Sequence, residues 1–529
     1  MTTYDEHVPV LIVGGGYAGL ASSMFLSQHG VRSLLVDRHP GVSIQGRARG
    51  INQRTLEIYR PLGLEPAITE AGKPFDDEGG VARCSSLAGE WEWLFDEEAP
   101  RFWPDLSAGQ FVMADQNTVE PILIEKAVEL GAEQRFHTQM TSFTQDPDGV
   151  TAVIENRDSG ETRTVRADYM IGADGHRSPI REELGINRPG PGITQYWVSI
   201  VFEADLSDVI KKKALFWIVL SQELGFASFV TTATPGRWAV SVTYDPAKDS
   251  PEAFTDERCV SIARTVVGKD DLDVSILDVG AWEQAVGVAD HYREDRVFLA
   301  GDAAHVWPPA GAMGANTGVQ DAHNLAWKLA ATVNGYGSDD LLDAYEAERR
   351  PVAVELSQLI IRRQEARFSG NPEVKDDLDD VVATLGQHYL STAMVGAEHE
   401  QVFGREVEQH ARPGFRAPHL WLDHNGNRIG VHDLFNNSFV LLTGNDGAGW
   451  VEAATAIAES TEIPVRGYQV GSAEAHANLI DLDSEWENRY EVGTSGAVLV
   501  RPDGYVAWRS TDAADKDALG DALNQVLGR

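Results

Sequence analysis

A chain of 529 residues is too long for one hydrophobic core, so two or three domains are expected. Its 81 acidic against 44 basic residues give a formal net charge of -37, which repels nucleic-acid phosphates and anionic lipid and excludes both as expected partners. Only Cys84 and Cys259 occur, in no metal-ligand or CxxC spacing, which argues against a disulfide framework, a metal site and dithiol chemistry and fits a reducing cytoplasm.

At the N-terminal end, Asp5 and Glu6 precede a short apolar run, unlike a secretion signal, and no stretch of about 18 apolar residues suggests a membrane span. Val8 to Val13 meets the glycine cluster "GGGYAG", an amphipathic stretch runs from Leu20 to His29-Gly30, and "VRSLLVD" reads as a second buried strand ending at Asp37. Strand, glycine turn, helix and strand make a parallel, right-handed βαβ unit. Gly14, Gly16 and Gly19 have the dinucleotide spacing: the first turns the chain, the second admits a pyrophosphate to the backbone, and the third packs helix on sheet. Asp37 is placed to accept from a ribose 2'-hydroxyl. Tyr17 and Ala18 within the turn and Arg38 after Asp37 are further candidate contacts. At this point NAD and FAD both remain open.

Further strands are expected at Asp168 to Ala173 and Arg296 to Ala300, stopping at Asp174-Gly175 and Gly301-Asp302. Between them the texture alternates, as in "RWAVSVTY", where Trp238, Val240, Val242 and Tyr244 share one face behind a Pro235-Gly236 turn. This predicts a mostly antiparallel sheet at 186–285, inserted between 1–185 and 286–400 of the nucleotide-binding domain. Lys211-Lys212-Lys213 reads as a solvated turn. Val319, Ala322, Leu325, Ala326, Leu329, Ala330 and Val333 define a helix, expected to start near Thr317. A long helical region follows from Leu341, with a kink or break at Pro351. Residues 415–529 form a small α/β unit. The fold class is α/β.

Three stretches, "VLIVGGGYAGL", "ADYMIGADGHRSPIR" and "RVFLAGDAAHVWPPAGAMGANTGVQDAHNLAWKLA", together resemble the FAD-dependent aromatic hydroxylases, the class A flavoprotein monooxygenases of the para-hydroxybenzoate hydroxylase fold. The resemblance implies a Rossmann-like FAD-binding domain. It implies that Asp302 binds the ribityl or ribose part of FAD, and that the backbone of Gly314, Ala315 and Asn316 faces the flavin's N1–C2 edge. A helix N-terminus there suits an anionic reduced flavin. The carbonyl of Pro309 is expected beside flavin and substrate, the closest to a catalytic role that can be assigned. Asp174-Gly175 is expected to serve FAD and NADPH, and Arg47 and Gln116 to contact FAD. Where the family often has Gly-Gly, this chain has Gly311-Ala312, which is expected to shift the loop slightly. His305 reads as a structural hydrogen-bonding residue. The aromatic stretch "GEWEWLFDEEAPRFW" fits pocket and core equally, as do Trp197, Phe202, Phe216, Trp217, Phe226 and Phe229.

The resemblance implies that NADPH or NADH reduces FAD, that O2 gives a flavin C4a-hydroperoxide, and that one oxygen atom passes to a phenolic ring. Residues 415–529 resemble the thioredoxin-like domain of phenol hydroxylase and of polyketide hydroxylases of the aklavinone 11-hydroxylase type, which favours a polycyclic substrate. Holding no cysteine, this unit is expected to serve packing or oligomer formation and to be dispensable for flavin chemistry. The protein is expected as a monomer or homo-oligomer. Baeyer–Villiger insertion, antibiotic inactivation, and flavin or substrate binding with little turnover are the alternatives. A simple NAD-dependent dehydrogenase leaves residues 301–318 unexplained.

Overall fold

The computed structural model describes residues 4–43, 48–95, 102–309, 312–369, 378–399, 401–472 and 477–529. The strand Glu6–Val13 lies at the centre of the first sheet, parallel to Ser33–Val36 on one side and Thr162–Gly172 on the other. Glu133–Arg135 and Val297–Leu299 extend the parallel array outward. Because helices cover both faces of such a sheet, its strands read as unbroken apolar runs, and Val8, Val10, Leu11 and Ile12 are all buried. The helices Tyr17–Gln28 and Met313–Val333 meet at a patch of small residues. A Cβ on Gly301 would sit 2.8 Å from the Cβ of Ala18, and one on Gly318 would sit 3.1 Å from the Cα of Gly301. That close approach brings the fingerprint turn and the 301–318 segment together.

The second sheet runs in the order His305–Val306, Ser275–Val288, Gly192–Glu203, Arg237–Tyr244, Gly225–Thr231, Lys213–Ser221, Glu78–Cys84, Trp91–Phe95. It is mostly antiparallel, as expected, but Lys213–Ser221 pairs in parallel with Glu78–Cys84. This corrects the domain boundary: residues 78–95, expected within the 1–185 part of the FAD-binding domain, belong to the inserted sheet. Their partners lie far along the chain, so their place could not be read from sequence order. The helix Asp256–Val267 seals one face, where Val198, Phe202, Trp217, Phe229, Cys259 and Val266 form a core. Trp91 packs edge-on against Trp217 at 5.4 Å, so this part of the aromatic stretch serves the core.

The third sheet has a parallel centre, Phe439–Thr443, Val465–Gly471 and Leu479–Asp481, with antiparallel Ala497–Val500 and Val506–Ser510 beside Phe439–Thr443. This is a thioredoxin-like arrangement without a cysteine. Its core is continuous with the first domain, since Trp327 of the long helix packs edge-on against Phe439 at 5.7 Å. Across the same seam Arg501 donates two hydrogen bonds to Glu348, at 2.6 and 2.8 Å. Pro351 sits inside the helix Asp343–Ser369 without ending it. Among the described residues no helix is long and apolar enough to cross a membrane, and no group of His, Cys, Asp or Glu could hold a metal ion.

Candidate active site

The three fingerprint glycines have different structural needs. Gly14 has φ +113°, and a Cβ there would meet the carbonyl oxygen of Ala173 at 2.1 Å. A Cβ on Gly19 would lie 1.8 Å from the carbonyl oxygen of Gly14. Around Gly16, by contrast, nothing lies within 4 Å of where a Cβ would stand, and among the described residues no side chain caps the helix that follows. Open space beside unpaired helix N–H groups fits a pyrophosphate. Tyr17 turns its ring into the core, and Ala18 packs on Gly301, so only their backbones face this space. Asp37 accepts from the N–H of Gly15 and of His39, each at 2.6 Å, and so braces the turn. Oδ1 also meets His39 Nδ1 at 3.0 Å, so it is Oδ2 that retains a lone pair for a sugar hydroxyl. Arg38 is exposed, and its carbonyl accepts from Arg157.

Asp302 is exposed, and no described residue hydrogen-bonds its carboxylate; its carbonyl accepts from Arg188 at 3.4 Å. Pro308 is buried and Pro309 exposed, the carbonyl of Pro309 accepting from Ala312 N–H at 3.3 Å. The helix begins at Met313, four residues before the expected Thr317, so Gly314, Ala315 and Asn316 form its first turn. Glycine content had concealed that turn. No side chain caps it among the described residues, leaving N–H groups for an anionic ring edge. Asn316 holds the turn in place with its side chain, donating to the carbonyls of Gly50 and Ala312 and accepting from Asn52 N–H at 3.1 Å.

Ala312, at the departure from Gly-Gly, has φ +53°. A left-handed alanine costs about 1–2 kcal/mol, and the freedom that glycine loses on folding offsets about 0.5–1. Ala312→Gly is therefore expected to raise stability by up to about 1.5 kcal/mol, read from the thermal midpoint, while the β-branched Ala312→Val lowers it. Gly311 itself and Arg47 lie outside the described residues.

Asp174 follows the strand Thr162–Gly172, its Oδ2 accepting from Ile180 N–H at 3.1 Å, while Oδ1 is buried with no hydrogen-bond partner among the described residues. Burial raises its carboxyl above the usual range. Gly175 follows at φ +88°. Gln116 opens the helix Gln116–Glu129, its amide donating to Glu120 at 2.6 Å and its backbone N–H to Ala48. His305 is buried against Asp321 at 2.6 Å and stacked on Trp307, a structural position.

Sequence reasoning missed a buried cluster at the junction with the inserted sheet. Arg49 donates to Asp115 at 2.8 Å and to the carbonyl of Thr231, and lies 3.7 Å from Glu78, whose other oxygen accepts from the Thr231 hydroxyl. A Cβ on the following Gly50 would sit 3.1 Å from that of Ala312, at the start of the helix Met313–Val333. Only the paired charges of distant segments could have signalled it. Burial pushes the Glu78 carboxyl up to about 7 from 4.5, the Arg49 guanidinium opposing. A raised folded value means that its stabilising contribution is complete below pH 4.5 and is lost as pH rises through about 7. Glu78→Gln is expected to remove that loss, at most about 3 kcal/mol, as seen in the difference between the two pH profiles of the urea midpoint.

On the sheet face away from Asp256–Val267, Ser199 and Ser241 share a hydrogen bond at 2.8 Å, and Trp282 donates to Ser199 at 2.9 Å. Beside them Trp197 stacks on Trp282 with ring centroids 5.4 Å apart, and Phe226 meets Trp197 edge-on. This face combines flat aromatic walls with hydroxyls, which suits a planar, oxygenated ligand.

Residues 7–359 match the FAD binding domain family, and residues 410–529 match the family described as aromatic-ring hydroxylase, C-terminal. A putative polyketide hydroxylase of Streptomyces halstedii is 41% identical over 99% of this chain and 97% of its own. Tetracenomycin A2 monooxygenase-dioxygenase of Streptomyces glaucescens is 39% identical with the same coverage. A 4-methyl-5-nitrocatechol 5-monooxygenase of a Burkholderia species is also 39% identical, over 100% of this chain and 99% of its own. The crystal structure of a ternary complex of aklavinone-11 hydroxylase with FAD and aklavinone superposes with a TM-score of 0.87 at 35% identity, covering 100% of both chains. With both domains matched in order and the glycine cradle open where a pyrophosphate fits, the chain belongs to the FAD-dependent aromatic hydroxylases.

Proposed function

We propose that this enzyme hydroxylates a phenolic, polycyclic aromatic substrate of polyketide type, with NAD(P)H as reductant and O2 as oxygen donor. One oxygen atom converts a ring C–H to C–OH; the other leaves as water, NAD(P)H supplying two electrons. Bound FAD supplies the electron transfer and oxygen activation. The observation that carries the reading is the pair of uncapped helix starts, Tyr17–Gln28 and Met313–Val333, joined at Ala18, Gly301 and Gly318. Gly16 and the first helix turn would take the pyrophosphate, Asp37 a ribose, Asp302 the ribityl hydroxyls, and the N–H groups of Gly314, Ala315 and Asn316 the ring edge. Asp174-Gly175 would serve FAD and NAD(P)H. Pro308-Pro309 would wall the reaction centre, the Pro309 carbonyl facing substrate.

The polycyclic choice rests on the Trp197–Trp282 wall and on the polyketide relatives. A monocyclic phenol is the second reading, favoured by the Burkholderia relative. NADPH oxidation is to be followed with anthracyclinone-type and simple phenols. Faster oxidation with a polycyclic compound, with a product one oxygen atom heavier and its rings intact, is expected. Ring cleavage would point to Baeyer–Villiger insertion, and no stimulation to a binding protein. Asp302→Ala is expected to weaken FAD binding by about 1–3 kcal/mol, measured by flavin fluorescence titration.

A further inference from the structure

The turn Arg501 to Tyr505 of the C-terminal domain is buried, and through intervening side chains it is connected to the two segments proposed above to flank the flavin. Its contacts run in two directions. In the first, Tyr505 stacks on Tyr389 with centroids 3.9 Å apart and planes 19° from parallel. The Tyr389 hydroxyl accepts from Arg349 at 2.8 Å, and Arg349 donates to Asp321 at 2.8 Å. Asp321 in turn accepts from Gly301 N–H at 3.2 Å and holds His305, fixing the segment that carries Asp302. In the second, the carbonyl of Asp503 accepts from Arg54, whose guanidinium lies over the Tyr505 ring at 5.6 Å. Arg54 belongs to the helix Gln53–Tyr59, capped by Asn52, and Asn52 is the residue whose N–H binds Asn316 in the first turn of the flavin helix.

Arg349, Asp321 and Arg501 are all fully buried, so each hydrogen bond is made without competing water and fixes direction strongly. Neither Tyr505 nor Tyr389 reaches the space beside Gly16.

We propose that the Arg501–Tyr505 turn is a positioning device for the flavin, with Tyr505 and Tyr389 as positioning residues that set the 301–306 and 312–318 backbones in register with each other. The C-terminal domain then acts on flavin binding without carrying a group that touches it. Since the inference rests on the flavin placement proposed above, Asp302→Ala serves as the separate check: wild-type FAD affinity in that variant removes the placement itself.

The test compares full-length Tyr505→Leu, Tyr505→Phe and Tyr389→Phe with Leu523→Ala, a core change in the helix Lys516–Val526 of the same domain. FAD dissociation constants and amide hydrogen exchange of the apoproteins are measured. Tyr505→Leu is expected to weaken FAD at least tenfold and to speed exchange in 301–306 and 312–318, with Tyr505→Phe restoring both. Tyr389→Phe, which keeps the stack and loses the acceptor for Arg349, should speed exchange in 301–306 alone and weaken FAD severalfold. Leu523→Ala should lower the thermal midpoint while leaving both readouts at wild type. Should Tyr505→Leu not fold, Tyr389→Phe decides by the same two measurements. Wild-type affinity and exchange in the folded tyrosine variants, or equal effects in Leu523→Ala, would overturn the proposal.

Discussion

Gly16→Val is expected to yield a folded protein that purifies without its yellow flavin and does not take it up from excess FAD. A Cβ at this position meets no protein atom within 4 Å, so the fold has no reason to reject it; the side chain would fill the space proposed for the pyrophosphate. Gly19→Val is expected to fail differently. Its side chain would be driven into the Gly14 carbonyl, 1.8 Å from a Cβ, so the helix could not lie on the sheet and the chain should be lost to aggregation. Circular dichroism and a flavin absorbance scan separate the two outcomes. A colourless but cooperatively folded Gly19→Val, or a yellow Gly16→Val, would contradict these separate roles.

Arg501→Leu is expected to have the largest effect on stability. Arg501 is fully buried, with Glu348 and Asp503 as partners, and Lys328 and Asn324 complete the set around Glu348. Removing the guanidinium leaves Asp503 without a charged partner and Glu348 with Lys328 alone, both away from water, and breaking a buried pair typically costs about 3–5 kcal/mol. The charges of Arg501 and Lys328 hold the Glu348 carboxyl far below its usual range. A depressed folded value contributes stability above the unfolded value that is lost as pH falls through the folded one. Wild type should therefore lose this contribution under acid, while Arg501→Leu, already without most of it, should show a flatter acid limb. Urea midpoints at neutral and acid pH measure both effects, and a Glu348→Gln, Arg501→Met double variant should recover part of the loss.

The same cluster bears on the expectation that residues 415–529 are dispensable for flavin chemistry. A truncation before Ala411 would uncover Glu348, Lys328 and Trp327, all buried, and would remove the Arg416 partner of Glu57. Such a chain is expected to aggregate before its chemistry can be read, so point substitutions are the informative experiment.

Much of the candidate cradle's local geometry was legible in the sequence because its requirements are local. A glycine turn between strand and helix, an acid at the end of the next strand and an apolar period in Val319 to Val333 are each set within a few residues, by backbone sterics and side-chain direction. The sequence by itself therefore determined the FAD-binding fold, the places of Gly14, Gly16 and Gly19, the inserted alternating sheet and the cysteine-free third unit. Where elements pair across long separations, only the tertiary structure decided. It put the strands Glu78–Cys84 and Trp91–Phe95 into the inserted sheet, started the helix Met313–Val333 at Met313, put Ala312 in a left-handed conformation, and joined Arg49 to Glu78. Arg416 and Glu57 are 359 residues apart in the chain, and nothing in the local pattern of either marks it as half of a buried pair. A charged side chain reads the same in sequence whether it meets water or a partner. Packing removes the water from these sites, and only then does the pairing become obligatory.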